Sequence, residues 1–320
     1  MNIRTKILTA LIGFSLLGVS AAKADYPEKP LKLVVPFAPG GGTDTISRLV
    51  SKRLGEAIGQ PVIVENRPGA DGTIGTRVVA SSKPDGYTIL FASSGHAINP
   101  SLHKNLGYDT LKDLTCLGQA AAQHIILVVH PSVPANNVQE FIAYAKANPG
   151  KLSFGSSSQA TALPMELLMA QTGIDMVSVP YKGSSPVMTD LISGRIQASF
   201  GALATIGPFI KDGQVKALGL GDNKRSDSLP NVPTIAEQGV PDFQAILFNG
   251  MFVPAGTPAP VIERLGTEMQ KMFSDPEFKA AVSKAGFDPV GSSPQECNKF
   301  VANEVEKWAR VAKRSGMTPQ

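Results

Sequence analysis

Two α/β lobes with a cleft between them follow from this 320-residue sequence on three grounds. Continuous apolar runs, suited to strands buried on both faces, alternate with stretches of helical periodicity. One junction of the two, LVVPFAPGGGTDTISRLV at residues 33–50, passes through a proline and three glycines straight into a helix, and returns in altered form around Gly155-Ser156-Ser157-Ser158. Once a leader-like N-terminus is set aside, roughly 295 residues remain, enough for two lobes of ordinary domain size.

The elements follow in order. Residues 31–37 read as a buried strand. Ile46, Leu49, Val50, Leu54, Ala57 and Ile58 then recur at helical spacing until Gly59 stops them, and 62–64 is a second apolar run, so the opening unit is βαβ. A turn at Asn66-Arg67-Pro68-Gly69 precedes a weaker helix at 74–81 and a strand at 87–92. A strand at 125–129, closed by Pro131 and Pro134, leads to a helix at 138–147. The second half repeats the scheme with a strand at 152–154, a helix stopped by Gly173, a strand at 177–181, a helix at 187–192, and strands at 196–200 and 215–220. The C-terminal part is helical. Val261, Leu265, Met269, Met272 and Phe273 share a face, a short helix follows Asp275-Pro276, and Ser293-Pro294-Gln295-Glu296 forms an N-cap, first-turn proline and capping box.

Arg4 and Lys6, an apolar stretch at 7–20 and Ala22-Lys23-Ala24 have the form of a cleavable secretory signal over 1–24, too short to span a membrane. Its removal takes away three of the 30 basic residues and none of the 26 acidic ones, leaving +1 in place of +4. The mature charge argues for neither nucleic acid nor a membrane surface. Cys116 and Cys297 stand far apart, and export permits a disulfide; the expectation favours two buried free thiols.

A strand that feeds a helix through glycines leaves backbone N–H groups unpaired at the positive end of the helix dipole, which suits an anion without any Lys or Arg. Gly40-Gly41-Gly42-Thr43-Asp44-Thr45 lacks the last glycine of a dinucleotide fingerprint, and no phosphate-cradling G-x-x-x-x-G-K-[ST] occurs. Asp44 is an awkward neighbour for an anion and is read as a cap of its own helix. A small carboxylate fits better than a polyphosphate. Gly155-Ser156-Ser157-Ser158-Gln159 fails the nucleophile-elbow pattern at its last position, and the four histidines form no metal motif, so neither a cofactor nor a metal is expected.

The stretches YPEKPLKLVVPFAPGGGTDTISRLV, GQPVIVENRPGADGTIGT, KPDGYTILFASS, VPYKG and GMFVPAGTPAPV resemble the Bug family, the TctC-like substrate-binding proteins of tripartite tricarboxylate transporters, over the whole mature chain. The resemblance implies a periplasmic, monomeric receptor of the two-lobed type II binding-protein fold and not an enzyme. Such a receptor closes on a di- or tricarboxylate, acidic amino acid or aromatic acid and delivers it to membrane subunits. Carried over by position, one loop contributes Phe37, Ala38, Gly40, Gly41, Gly42, Thr43 and Asp44, and the other Ser156, Ser157, Ser158 and Thr161. Ser93 and Tyr181 match positions that face the cleft, although a strand-end aromatic packed within its lobe explains Tyr181 equally well.

Two departures bear on the ligand. Where the family often has H-L-A-x-E-L, this chain reads Ala162-Leu163-Pro164-Met165-Glu166-Leu167; where tryptophans often precede VPAGTP, it has Ile246-Leu247-Phe248-Asn249-Gly250-Met251-Phe252. A more apolar distal pocket points to an aromatic or heterocyclic monocarboxylate over citrate. The expected lobes are 25–125 with 245–320, and 126–244, joined by crossings near 125–130 and 245–253. The competing readings are a receptor for a membrane sensor kinase and a secreted hydrolase built on Ser157 or Ser158.

Overall fold

The computed structural model describes residues 26–314 except 223, 227 and 228; the expected leader lies outside the described residues. The chain runs β1 (Leu31–Val35), α1 (Gly42–Ile58), β2 (Val62–Asn66), a short 3₁₀ turn, α2 (Thr73–Ala80), β3 (Thr88–Ser93), α3 (Gly95–Leu102), β4 (Leu114–Gln123) and β5 (Ile125–Val129). It continues through α4 (Val138–Ala147), β6 (Ser153–Ser156), α5 (Gln159–Thr172), β7 (Val177–Pro180), α6 (Ser184–Ile192), β8 (Ala198–Ala202), α7 (Leu203–Lys211) and β9 (Lys216–Leu220). The last elements are β10 (Leu247–Pro254), α8 (Ala259–Ser274), α9 (Pro276–Lys284), β11 (Asp288–Pro289) and α10 (Pro294–Arg314).

The strands form two sheets, ordered β2-β1-β3-β10-β4-β11 and β7-β6-β8-β5-β9. One plan serves both. Three parallel strands lie in the order second, first, third, followed by an antiparallel strand that has just arrived from the other sheet, then one more antiparallel neighbour, beyond which the short β11 extends the first sheet alone. In such a sheet, the connections leaving the first and third strands diverge, which opens a crevice at their carboxyl ends. Those ends are Val35 and Ser93 in one sheet and Ser156 and Ala202 in the other.

Both faces of the sheets are covered, as the apolar runs require. Leu31, Leu33 and Val35 pack with Ile46, Val50 and Leu54 of α1 and Leu265 and Met269 of α8, whereas Val34 points to the opposite core with Val79 of α2 and Val301 and Trp308 of α10. The same alternation divides Ile126 and Val128 from Ile125, Leu127 and Val129. α6 ends at Ile192 as its periodicity indicated, but the Arg195 and Ile196 N–H groups both donate to Asp190 O, so β8 starts at Ala198 rather than at 196.

The chain passes from the first sheet to the second between Gln123 and Ile125, and returns through Ala245 and Ile246. At this junction Gly221 N–H donates to Ile125 O at 2.9 Å and Ala245 N–H to Gly221 O at 2.7 Å. A Cβ on Gly221 would lie 2.8 Å from the Ile125 side chain, so only glycine lets the three strands of chain approach. His124, the single residue between β4 and β5, is 9% exposed. Its Nδ1 lies 2.8 Å from Asp222 Oδ2, a charge contact off the line of a ring N–H bond, and its Nε2 3.3 Å from Asp288 Oδ2 on β11.

The cysteines correct the expectation of free thiols: Cys116 and Cys297 are joined, with Cα atoms 5.9 Å apart. Their separation of 181 residues concealed this because the last helix returns to the first sheet. α10 lies along β4, and the Asn298 side chain pairs with both the N–H and the C=O of Cys116 at 3.1 and 3.0 Å, which sets the two sulfurs side by side. The capping box at its start forms as read, with Ser293 N–H donating to Glu296 Oε2 at 2.8 Å and Glu296 N–H to Ser293 Oγ at 3.2 Å. At its far end Arg314 donates to Ala170 O of α5 in the other half of the molecule.

Two outcomes follow. A cross-link closing so long a loop is worth about 5 kcal/mol in the chain-entropy picture, so a reductant should lower the melting temperature of the wild type by many degrees and leave a Cys116→Ala/Cys297→Ala variant unmoved. The Asp222 carboxylate raises the His124 pKa, burial and Lys224 oppose it, and Asp288 adds to the rise. A pKa raised on folding gives stabilisation that is full below the unfolded value of about 6.5 and fades as pH climbs through the folded one. Denaturant titrations should therefore show a fall in stability from pH 6 to pH 8.5 that His124→Gln abolishes.

Candidate functional site

The loop after β1 is built around Asp44. This residue is 3% exposed, and its carboxylate accepts from Gly40 N–H at 3.0 Å, from Arg48 Nε and Nη2 at 2.9 and 3.0 Å, and from Asn66 Nδ2 at 2.9 Å. Burial raises its pKa, but the Arg48, Gly40 and Asn66 hydrogen bonds outweigh that and hold it at about 2. The expected helix cap is not what Asp44 makes: the N-cap is Gly41, without a side-chain cap, and Asp44 reaches back to Gly40 N–H ahead of it, bracing the loop, with its charge balanced by Arg48. Asn66 also donates to Phe37 O at 3.0 Å, which ties the start of the loop to its end.

The three glycines have different reasons to be bare. Gly40 has φ +85°, a conformation that L side chains rarely adopt. At Gly42 a Cβ would press on the Phe287 ring at 3.2 Å. Gly41 has an ordinary φ of −78°, and a Cβ there would meet only Ala38 O at 3.8 Å. Neither conformation nor packing calls for glycine at 41, which leaves open approach from the cleft as its use. Thr45 N–H closes the first helical bond, to Gly41 O at 2.9 Å, and among the described residues Gly41, Gly42 and Thr43 N–H have no acceptor.

In the second loop Thr161 turns back. Its Oγ1 accepts from Ser157 N–H at 3.0 Å and Ser158 N–H at 3.2 Å, and donates to Ser158 O at 3.0 Å. That consumes two N–H groups the sequence reading had offered to a ligand. Gln159 and Ala160 N–H, the next two, have no acceptor among the described residues. Ser157 Oγ lies 3.4 Å from Ser184 Oγ, and no histidine bonds to either Ser157 or Ser158.

A cavity of about 200 Å³ brings Ser157, Ser158 and Thr161 together with Ser184, Val187 and Met188 of α6, 199–202 of β8, Thr205 and Ile206 of α7, and Leu247 of β10. Its polar groups are hydroxyls and backbone, and no Lys, Arg or His lines it. Leu247 comes from the other sheet. Two residues along the same face of β10, about 7 Å away, Asn249 donates to Thr43 Oγ1 at 3.2 Å and pairs in register with Ser93. One strand thus links the second-sheet cavity to the α1 terminus.

Residues 46–317 match the family described as the tripartite tricarboxylate transporter family receptor, TctC. The chain belongs to the TctC family. It is 35% identical over 318 residues, 97% of both chains, to the protein BugT of Bordetella pertussis. Among solved structures it is similar to Rhodopseudomonas palustris Rpa4515 with adipate, at 33% identity and a TM-score of 0.79 over 92% of this chain and 100% of that one. The periplasmic binding protein BugD gives 33% and 0.76 over 92% and 100%, and MatC of R. palustris with bound malate 27% and 0.74 over 89% and 99%. These relatives are solute-binding proteins and not enzymes, and the two-lobed α/β fold is theirs.

Phe37, Ala38 and the residues from Gly40 to Asp44 lie in the loop after β1 and the first turn of α1, with Ser93 at the end of β3 in the same sheet; Ser156 ends β6, and Ser157, Ser158 and Thr161 at the start of α5 line the cavity. Tyr181 packs its ring over Gly155 and donates its hydroxyl to Asp190 Oδ2 at 2.8 Å, so the hydroxyl is already engaged within its own lobe. Sequence reasoning missed Ser184, Ala202, Thr205, Leu247 and Asn249. No sequence signal marked the α7 terminus, because α7 carries Gly207 and Pro208 and was not read as a helix.

Because a side chain fits at Gly41 without strain, Gly41→Val should leave the thermal transition of the unliganded protein within a degree or two. It should weaken ligand binding by at least about tenfold, or about 1.4 kcal/mol, as read by calorimetric titration beside the wild type.

Proposed function

We propose that this chain is a periplasmic receptor that captures a small organic carboxylate between its two lobes and delivers it to the membrane subunits of a tripartite tricarboxylate-type transporter. The observation that carries the proposal is the pair of helix N-termini, α1 and α5, whose first-turn N–H groups lack internal acceptors at the crevice ends of two sheets of one plan. Such termini hold anions without a cationic side chain. The lobes are taken as 25–125 with 245–320, and 126–244, and hinge closure about the double crossing at His124 and Ala245 buries the ligand.

The adipate and malate bound to relatives support a carboxylate as the ligand class. The lining of the cavity narrows it. Val187, Met188, Phe200, Ile206 and Leu247 offer apolar contact, and no cation is present to offset a second and third charge. The reading favours one carboxylate at a helix terminus with an apolar body, aromatic or aliphatic, behind it. Citrate would bring carboxylates into this cavity with only hydroxyls to meet them, a desolvation cost the site does not offset.

A thermal-shift screen of protein unfolded and refolded to strip carried-over ligand tests this, since a ligand of the native state raises its melting temperature. Benzoate or nicotinate should shift the transition in a concentration-dependent way and citrate should not. A larger shift with citrate would overturn the ligand assignment, and no shift with any acid would overturn the receptor reading.

A further inference from the structure

β10 reads Leu-Phe-Asn-Gly-Met-Phe-Val-Pro, and Asn249 is its only polar side chain. The strand lies inside its sheet, paired to Ser93 on one side and Ala121 on the other, and Ser94 Oγ accepts the neighbouring Phe248 N–H at 2.7 Å. Asn249 is 6% exposed. A buried amide in such a run costs stability unless it is bonded, and the one bond it makes within the protein, among the described residues, is from Nδ2 to Thr43 Oγ1 at 3.2 Å.

That bond sets a polarity. A hydroxyl that accepts an N–H keeps its own proton to give, and the Thr43 proton has no acceptor among the described residues. The nearby Thr45 shows the alternative: its hydroxyl donates back to Gly41 O at 3.1 Å, the usual local bond of a threonine at a helix start. Thr43 sits among the three free N–H groups of the loop, at the cleft face that Asn249 shares with Leu247.

We propose that Asn249 is a positioning residue for ligand capture, which by donating to the Thr43 hydroxyl fixes it as a proton donor to the carboxylate held at the α1 terminus. The inference rests on the carboxylate-receptor reading given above. Its experiment is calorimetric titration with adipate and with benzoate, using whichever binds the wild type more tightly, on Thr43→Val, Thr43→Ser, Asn249→Ala and the double Thr43→Val/Asn249→Ala, with the melting temperature of each unliganded protein. Thr43→Val should bind about tenfold more weakly and Thr43→Ser within about twofold of wild type. Asn249→Ala should match Thr43→Val, and the double variant should lose no more than either alone, because the second change acts only through the first.

Wild-type affinity in either Thr43→Val or Asn249→Ala would overturn the inference, as would losses that multiply in the double variant. Should Asn249→Ala not fold, Asn249→Ser serves in its place, with the same reading. If the wild type binds neither acid, the receptor reading falls and this inference with it; if the wild type binds and the variants bind as well, only the inference falls.

Discussion

The first turn of a helix presents backbone N–H groups that no residue within the helix can accept, and a protein must cap them, wet them or give them a ligand. α1 and α5 meet that constraint in mixed fashion. At α1, Asp44 takes the Gly40 N–H and leaves the next three open; at α5, Thr161 takes those of Ser157 and Ser158 and leaves two. These bonds hold each loop in shape. The strand order places these termini where an incoming molecule can reach them.

The two sheets are coupled because each receives its fourth strand from the other half of the chain. β5 is laid into the second sheet directly after His124, and β10 into the first directly after Ile246. A continuous apolar cluster runs from Val34 and Leu90 through Ile125, Phe243 and Phe248 to Phe154 and Phe141, so the junction is packed rather than a loose linker. β10 carries Leu247 from this junction to the cavity and Asn249 to Thr43 at the start of α1.

Much of this architecture was legible because apolar periodicity and glycine stops are local signals. α1 with its Gly59 stop, β5, α4, the α5 stop at Gly173 and the Ser293 capping box all appear where their residues indicated. The elements that were missed are those whose stability comes from neighbours. β4 reads LTCLGQAAAQ, poor in branched residues, and is a strand because β10 and β11 flank it. α3 contains Pro100, and α7 contains Gly207 and Pro208. The disulfide was hidden for a related reason, since the contact is made by topology across 181 residues. At the site, the loops were visible as composition, but Asn249 lies on a remote strand, and only its isolation as a polar residue in an apolar run hinted at it.

The charge arrangement explains how a neutral-looking site could select an anion. Asp44 would repel a carboxylate if its charge were free, yet Arg48 and Asn66 bind it and the folded pKa of about 2 keeps it ionised and paired at any ordinary pH. On the proposed reading, what then meets the ligand is the helix terminus itself, a fixed dipole that costs little reorganisation. Discrimination passes from charge to shape. With hydroxyls and aliphatic side chains in the second lobe and no mobile cation in the cavity, an additional ligand charge would find no counter-charge, whereas an additional methylene or ring atom would find contact. On the proposed reading, such a site distinguishes acids by the body that carries the carboxylate.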